Sequence, residues 1–199
     1  MKKFELTNEF VTNMFGTKLF RIRALVEFGD VEAGELGGYV EKESNLGHDD
    51  NAWVYGNARV YGDARVYDNA WVYGNAQVSG NARVYGNAWV YGDAQVSGDA
   101  RVCGNARVCG DARVCGNGDY AYAHGFGSVN RTTTFFRLKD GGVGVRCGCF
   151  YGTLAQFRDK IRETHGETKK AQEYLMLADL MELRFEEDEN EVGNRKYVE

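Results

Sequence analysis

Between Asn51 and Gly116 the apolar positions recur every six residues without interruption. Eleven hexapeptides follow one another, beginning NAWVYG, NARVYG, DARVYD and ending DARVCG, NARVCG, DARVCG. Ala holds the second slot from Ala52 to Ala112, and Val holds the fourth from Val54 to Val114. Gly holds the sixth slot except at Asp68, a residue type that also accepts a left-handed backbone. Ala and Val two apart face the same side of a strand, and the residue between them faces the other. Gly followed by Asn or Asp supplies a turn, because both types adopt positive φ at low cost. The pattern therefore predicts a short strand and a turn in every six residues, with Ala and Val inside.

A longer period lies over the first. Trp53, Trp71 and Trp89 are eighteen positions apart, each followed by Tyr55, Tyr73 and Tyr91. Arg65, Arg83 and Arg101 form a second series beside Tyr67, Tyr85 and Cys103, and Arg59, Gln77, Gln95 and Arg113 form a third. Outward residues at this spacing stack if each coil has three sides. The expectation is a mainly β chain, a three-sided parallel β-helix with eighteen residues per coil. Its ends would expose Val and unpaired backbone, so the flanking segments should close them.

The flanks divide the chain into 1–30, an N-terminal β cap; 31–118, the β-helix with its regular part at 51–116; 119–185, a small ββαα module; and 186–199, an acidic tail. Alternation over Leu19 to Phe28 predicts a strand in the cap. Val40 and Leu46 fall on the register of Ala52, which starts a degraded first coil near residue 31. After the repeat decays, RTTTFFRL, the turn KDGG and VGVRCGCF predict a β-hairpin. Thr153 and Gln156 form a capping box for a helix ending near Gly166. A second helix, from about Thr168 to Phe185, places Ala171, Tyr174, Leu175, Ala178, Met181 and Leu183 along one side.

Composition removes several alternatives. The chain has 26 Gly and no Pro, which excludes collagen, and its 43% hydrophobic and 13% aromatic residues exclude a disordered linker. Pro would remove a ladder N–H from any strand of the rod. A net charge of -5 provides no basic field for duplex nucleic acid. No apolar run approaches the roughly 18 residues that span a bilayer, and MKKFELTNEF lacks a signal peptide's apolar stretch. A cytoplasmic protein without a membrane partner is expected.

Cys103, Cys109 and Cys115 are spaced by six and so fall on three different faces, as separate thiols on the outer surface rather than a metal or disulfide series. Cys147 and Cys149 share a strand face without two further ligands, and hairpin packing accounts for them. No metal and no cofactor is expected. His165 precedes Gly166 at a helix end, where it complements the helix dipole. The wall of Trp53, Tyr55, Trp71, Tyr73, Trp89 and Tyr91 is too apolar to stay solvated on a monomer and marks an interface, with the same chain or with a partner. The Arg65, Arg83 and Arg101 ladder brings like charges about 5 Å apart, so either Asp63 and Asp99 or a bound anion should neutralise it. With Tyr67 and Tyr85 it is a candidate phosphate-binding stripe, since a guanidinium fork fits phosphate.

The Val54-to-Ala58 spacing and its repeats resemble the left-handed parallel β-helix of hexapeptide-repeat proteins. With the entry FRIRALVEFGDVEAGELGGYVEKESNL and the exit GCFYGTLAQFRDKIRETHG, nearly the whole chain resembles such proteins of phage and prophage genomes. The resemblance implies the left hand, since the usual crossover preference points the other way. It also implies a homotrimer packed through flat sides. A phage setting implies a non-enzymatic binding protein in the host cytoplasm that sequesters or inhibits a host factor or an anionic nucleotide-like ligand. Two alternatives accompany it. One is acyl transfer from acyl-CoA with His124 as general base; the other is a structural polymer of rods stacked end to end.

Overall fold

In the computed structural model, which describes residues 2–186, each hexapeptide forms one two-residue strand from its third residue and its Val. Three strands precede the repeats: β1 (Phe4–Thr12), β2 (Lys18–Ala24) and β3 (Leu36–Val40). The eleven repeat strands then run at six-residue steps from β4 (Trp53–Val54) to β14 (Arg113–Val114). Up to β11 each pairs in parallel with the strand three places further on, and β3 pairs with β5, giving the ladders β4-β7-β10-β13, β6-β9-β12 and, beyond the antiparallel β1 and β2, β3-β5-β8-β11-β14. The result is a β-solenoid of about four turns. Every repeat Ala and Val is fully buried along its axis.

The corners follow from backbone freedom. Gly92 has φ 72, and a Cβ there would lie 2.9 Å from the amide nitrogen of Gly110 in the next turn. Asp68, the exception in the sixth slot, has φ 58, and its carboxylate accepts the Gly86 N–H at 3.0 Å. First-slot amides also stack: Asn51 donates to Asn69 at 3.2 Å, Asn69 to Asn87 at 3.4 Å and Asn87 to Asn105 at 3.3 Å.

The entry register differs from expectation. Val40 pairs with Val60, and Leu46 bridges to Val66, so both occupy Val slots rather than the register of Ala52. The segment Gly47–Asn51 absorbs the two-residue slip, with Asp50 at φ 55. The strand expected over Leu19–Phe28 ends at Ala24, where the Leu25 N–H turns back to the carbonyl of Lys3. β1, unexpected because Thr7, Asn8 and Glu9 interrupt its alternation, pairs antiparallel with β2 through a register shift between Leu6 and Phe10.

Past the solenoid lie β15 (Tyr120–Phe126), β16 (Arg131–Arg137), β17 (Val143–Cys147) and β18 (Phe150–Thr153), a four-stranded antiparallel sheet in that order. Helices α1 (Leu154–His165) and α2 (Lys169–Phe185) follow. The expected ββαα module thus has two strands too few. β15 alternates Tyr with Ala only as far as Ala123 before His124 and Gly125, and β18 has only four positions, so neither is a clear strand pattern alone. Pairing against the central β16–β17 hairpin makes both strands. The Thr153–Gln156 capping box is present, with bonds of 3.3 and 2.9 Å. In α2 the buried stripe is Ala171, Tyr174, Ala178, Met181 and Phe185; Leu183 is exposed, being two positions off that stripe. Of the acidic tail expected at 186–199, all but Glu186 lies outside the described residues. Among the described residues no helix is long and apolar enough to cross a membrane.

Candidate functional site

Parallel register aligns Arg65 with Arg83 and Arg83 with Arg101, and all three side chains are exposed. Adjacent strands lie about 4.8 Å apart, so three positive charges run along one line. The carboxylates expected to neutralise them are engaged elsewhere. Asp63 pairs with Lys42 at 2.8 Å, and Asp99 accepts from Asn81 at 3.0 Å. Among the described residues none of the three arginines has an ion-pair partner.

Two positions further in each repeat, Tyr67 and Tyr85 stack with ring centres 5.1 Å apart and planes within 2°. Cys103 continues the column, with its Sγ 3.7 Å from the Tyr120 hydroxyl. At this end the ladder opens into a cleft of about 420 Å³. Arg101, Asn117, Tyr120, Tyr122 and Arg184 line it, and Arg184 donates to the Asn117 carbonyl at 3.4 Å. Arg184 comes from α2, and no repeat spacing could have associated it with Arg101. The combination of a guanidinium row, a flat aromatic column and a terminal cleft can hold a phosphate beside a ring.

The second ladder of interest is the aromatic wall. Trp71 and Trp89 stack at 5.6 Å, Tyr73 and Tyr91 at 4.8 Å, and Tyr55 packs 5.3 Å from Trp71. These five are half-buried. Trp53 is not part of any outer surface: it is 0% exposed, with Phe28 at 5.3 Å and Phe4 at 6.2 Å edge-on to it. The N-terminal cap therefore removes it from the expected interface. Arg107 lies over Trp89 at 4.5 Å and screens part of the far end. Burial raises the Tyr55 hydroxyl to about 12.

The three rod cysteines follow strands of three different ladders, as their spacing implied, but they are not all outer thiols. Cys109 is buried, and burial pushes its thiol pKa up. Their small size has a steric cause. They stand where earlier repeats carry Tyr or Ser, and the corners after Cys103 and Cys109 lie under the C-terminal sheet. A Cβ on Gly104 would meet the Tyr122 hydroxyl at 2.3 Å, and one on Gly110 the Tyr151 hydroxyl at 2.0 Å. Cys147 is half-buried against the second core and accepts from Thr133 at 3.2 Å. Cys149 lies beyond the end of β17 and is exposed, so the two do not share a strand face.

His124 projects from β15, exposed, with its Nδ1 2.9 Å from the Thr132 hydroxyl. No carboxylate pairs with it among the described residues, and it lines neither cleft. His165 ends α1 and stacks on Tyr174 at 5.9 Å.

With this geometry in place, comparison with known proteins adds one finding. The family model of the YdcK β-solenoid repeat matches residues 52–66, 58–74, 64–79, 76–92 and 94–110. All five windows lie within the repeats, and together with the stacked parallel strands they make the chain a β-solenoid repeat protein. No curated protein matches it.

Proposed function

We propose that this chain is a non-enzymatic binding protein of phage type, a left-handed, three-sided β-helix that assembles as a homotrimer and sequesters an anionic, nucleotide-like ligand. Partners such as Trp53 and Trp71, or Arg65 and Arg83, are eighteen positions apart, which supports an eighteen-residue coil. The observation that carries the ligand reading is the Arg65–Arg83–Arg101 row. It is exposed, has no ion-pair partner among the described residues, and runs beside the Tyr67–Tyr85 stack into the cleft that Arg184 completes. A phosphate on the row and a base against the tyrosines would satisfy both surfaces. The half-buried wall from Tyr55 to Tyr91 supports self-association. Both ends of the solenoid are occupied by the chain's own caps, which favours a discrete assembly over an end-to-end polymer.

Two substitutions separate the roles. Arg83→Met should weaken adenosine monophosphate binding about tenfold in calorimetry, the scale of one charge-assisted contact, while the native mass stays the same. Trp71→Ala should lower the assembly mass in native mass spectrometry. If the nucleotide does not bind, or binds Arg83→Met equally well, the ligand reading is wrong. A monomeric wild-type protein would remove the trimer.

A further inference from the structure

The C-terminal module holds a second cleft, of about 230 Å³, that the solenoid site does not involve. Its apolar side is formed by buried Phe157, Ile161 and Tyr174 with half-buried Phe150. Arg131, Lys160 and His165 line the remainder, and no Asp or Glu does. Glu173 accepts the Gly127 N–H at 2.8 Å. Lys160 pairs with Glu163 at 2.8 Å. Arg131 has no ion-pair partner among the described residues.

Two unusual backbone features converge on this cleft. Val129 and Asn130 are consecutive non-glycine residues at φ 52 and φ 49, held in place where Gly127 meets the Tyr174 ring and the Ser128 N–H donates to its hydroxyl at 3.1 Å. Strain of this kind persists only where the surroundings over-determine it, and it concentrates at binding sites. The strained segment leads directly into Arg131. On the facing turn, Gly148 has φ 59, and a Cβ there would fall 1.9 Å from Arg131 Nη1. The absence of a side chain at Gly148 is what lets the guanidinium lie across the β17–β18 turn.

We propose that this cleft binds a small aromatic oxyanion, a single ring bearing a phosphate or carboxylate, with Arg131 on the anion and Phe150, Phe157 and Tyr174 around the ring. Size fits the assignment: an apolar cavity of about 150 Å³ accepts benzene, and the additional volume accommodates one tetrahedral group. The planar guanidinium fork suits either oxyanion.

Phenyl phosphate is the probe, titrated into the full-length protein by calorimetry, with inorganic phosphate and benzyl alcohol as half-ligands. Saturable binding of phenyl phosphate should exceed that of either half-ligand at least about tenfold. Arg131→Met, at an exposed position, should weaken it by a similar factor. Thr164→Trp, also exposed, should block it by filling the cleft. In the Arg83→Met background, where the solenoid row is weakened, phenyl phosphate binding that depends on Arg131 should persist, which separates this site from the solenoid ladder. The proposal is overturned by no saturable binding, by equal binding to Arg131→Met, or by loss of binding in Arg83→Met.

Discussion

At the start of the solenoid the first-turn carbonyls have no earlier strand to receive from, whereas at its end the last-turn N–H groups have no later strand to donate to. The N–H groups of the third and fifth residues of most repeats donate to the following turn, as Trp53 N–H does to the Ala70 carbonyl at 3.1 Å, so different partners of these bonds are missing at the two ends. The two caps differ accordingly. The N-terminal cap supplies mainly donors, with the Glu41 carboxylate accepting from the Gly62 N–H at 2.6 Å. Lys3 Nζ reaches the Ala52 carbonyl at 2.9 Å, and Asn45 Nδ2 reaches Gly62 at 3.0 Å and Ala64 at 2.8 Å. The backbone of Tyr39, Glu41 and Gly47 donates to Ala58, Val60 and Val66. The C-terminal cap supplies mainly acceptors, although the Tyr120 hydroxyl donates to the Arg101 carbonyl and the Lys139 N–H to that of Asp111. Asn117 Oδ1 accepts from Arg101 at 2.9 Å, Thr134 Oγ1 from Arg107 at 2.9 Å and Asp119 from Cys115 at 2.9 Å. The two caps thus lean toward opposite chemistry, mostly donors at the start and mostly acceptors at the end.

The largest effect should come from the apolar part of the N-terminal cap. Trp53→Ala empties the space between Phe4, Phe28 and the first turn and should cost about 3–5 kcal/mol in denaturant unfolding. A loss under about 1 kcal/mol would mean that the cap does not seal this end. Next, Asn→Asp keeps an acceptor and removes the amide donor, so it tests the polarity directly. Asn45→Asp should cost about 3 kcal/mol, leaving two carbonyls without donors and a buried charge. Asn117→Asp, which retains its accepting oxygen at an exposed position, should change stability by no more than about 0.5 kcal/mol. Equal losses at the two sites would break the donor–acceptor distinction.

The last test is a pH dependence. Burial lowers the Lys3 pKa from 10.5 to about 8, against the attraction of Asp50 and Asp49. Between those values the unfolded chain binds more protons than the folded one, so Lys3 makes stability rise with pH across that window. The neutral amine still donates to Ala52, so the cap stays intact. Lys3→Met should lack this rise. The difference between wild type and variant should grow from pH 8 toward pH 10, measured by thermal unfolding; a difference independent of pH would show that Lys3 is charged in both states throughout.

The repeat was readable because each hexapeptide states its own geometry: Ala and Val inside, Gly at the corner, and an eighteen-residue spacing that aligns Arg65 with Arg83. The caps were not, because their work is done by single side chains with no periodicity. Nothing around Lys3 or Asn45 marks them as partners of carbonyls in the first turn. The same limit explains Trp53, which shares the repeat pattern of Trp71 but is buried by residues far ahead of it. At the candidate site the arginine row was visible in the spacing, while Arg184 and the Gly148–Arg131 contact depend on how the C-terminal module docks and folds.

Cysteine in place of tyrosine in the last turn has a consequence for growth of the molecule. The small residues beneath Tyr120, Tyr122 and Tyr151 act as an end mark, and the N-terminal cap meets only the first turn. Most residues of the central turns touch neither cap, so an extra turn inserted there would move the caps apart by about 4.8 Å while preserving their docking contacts. Length is then a quantity that duplication can change freely, and the row of arginines lengthens with it.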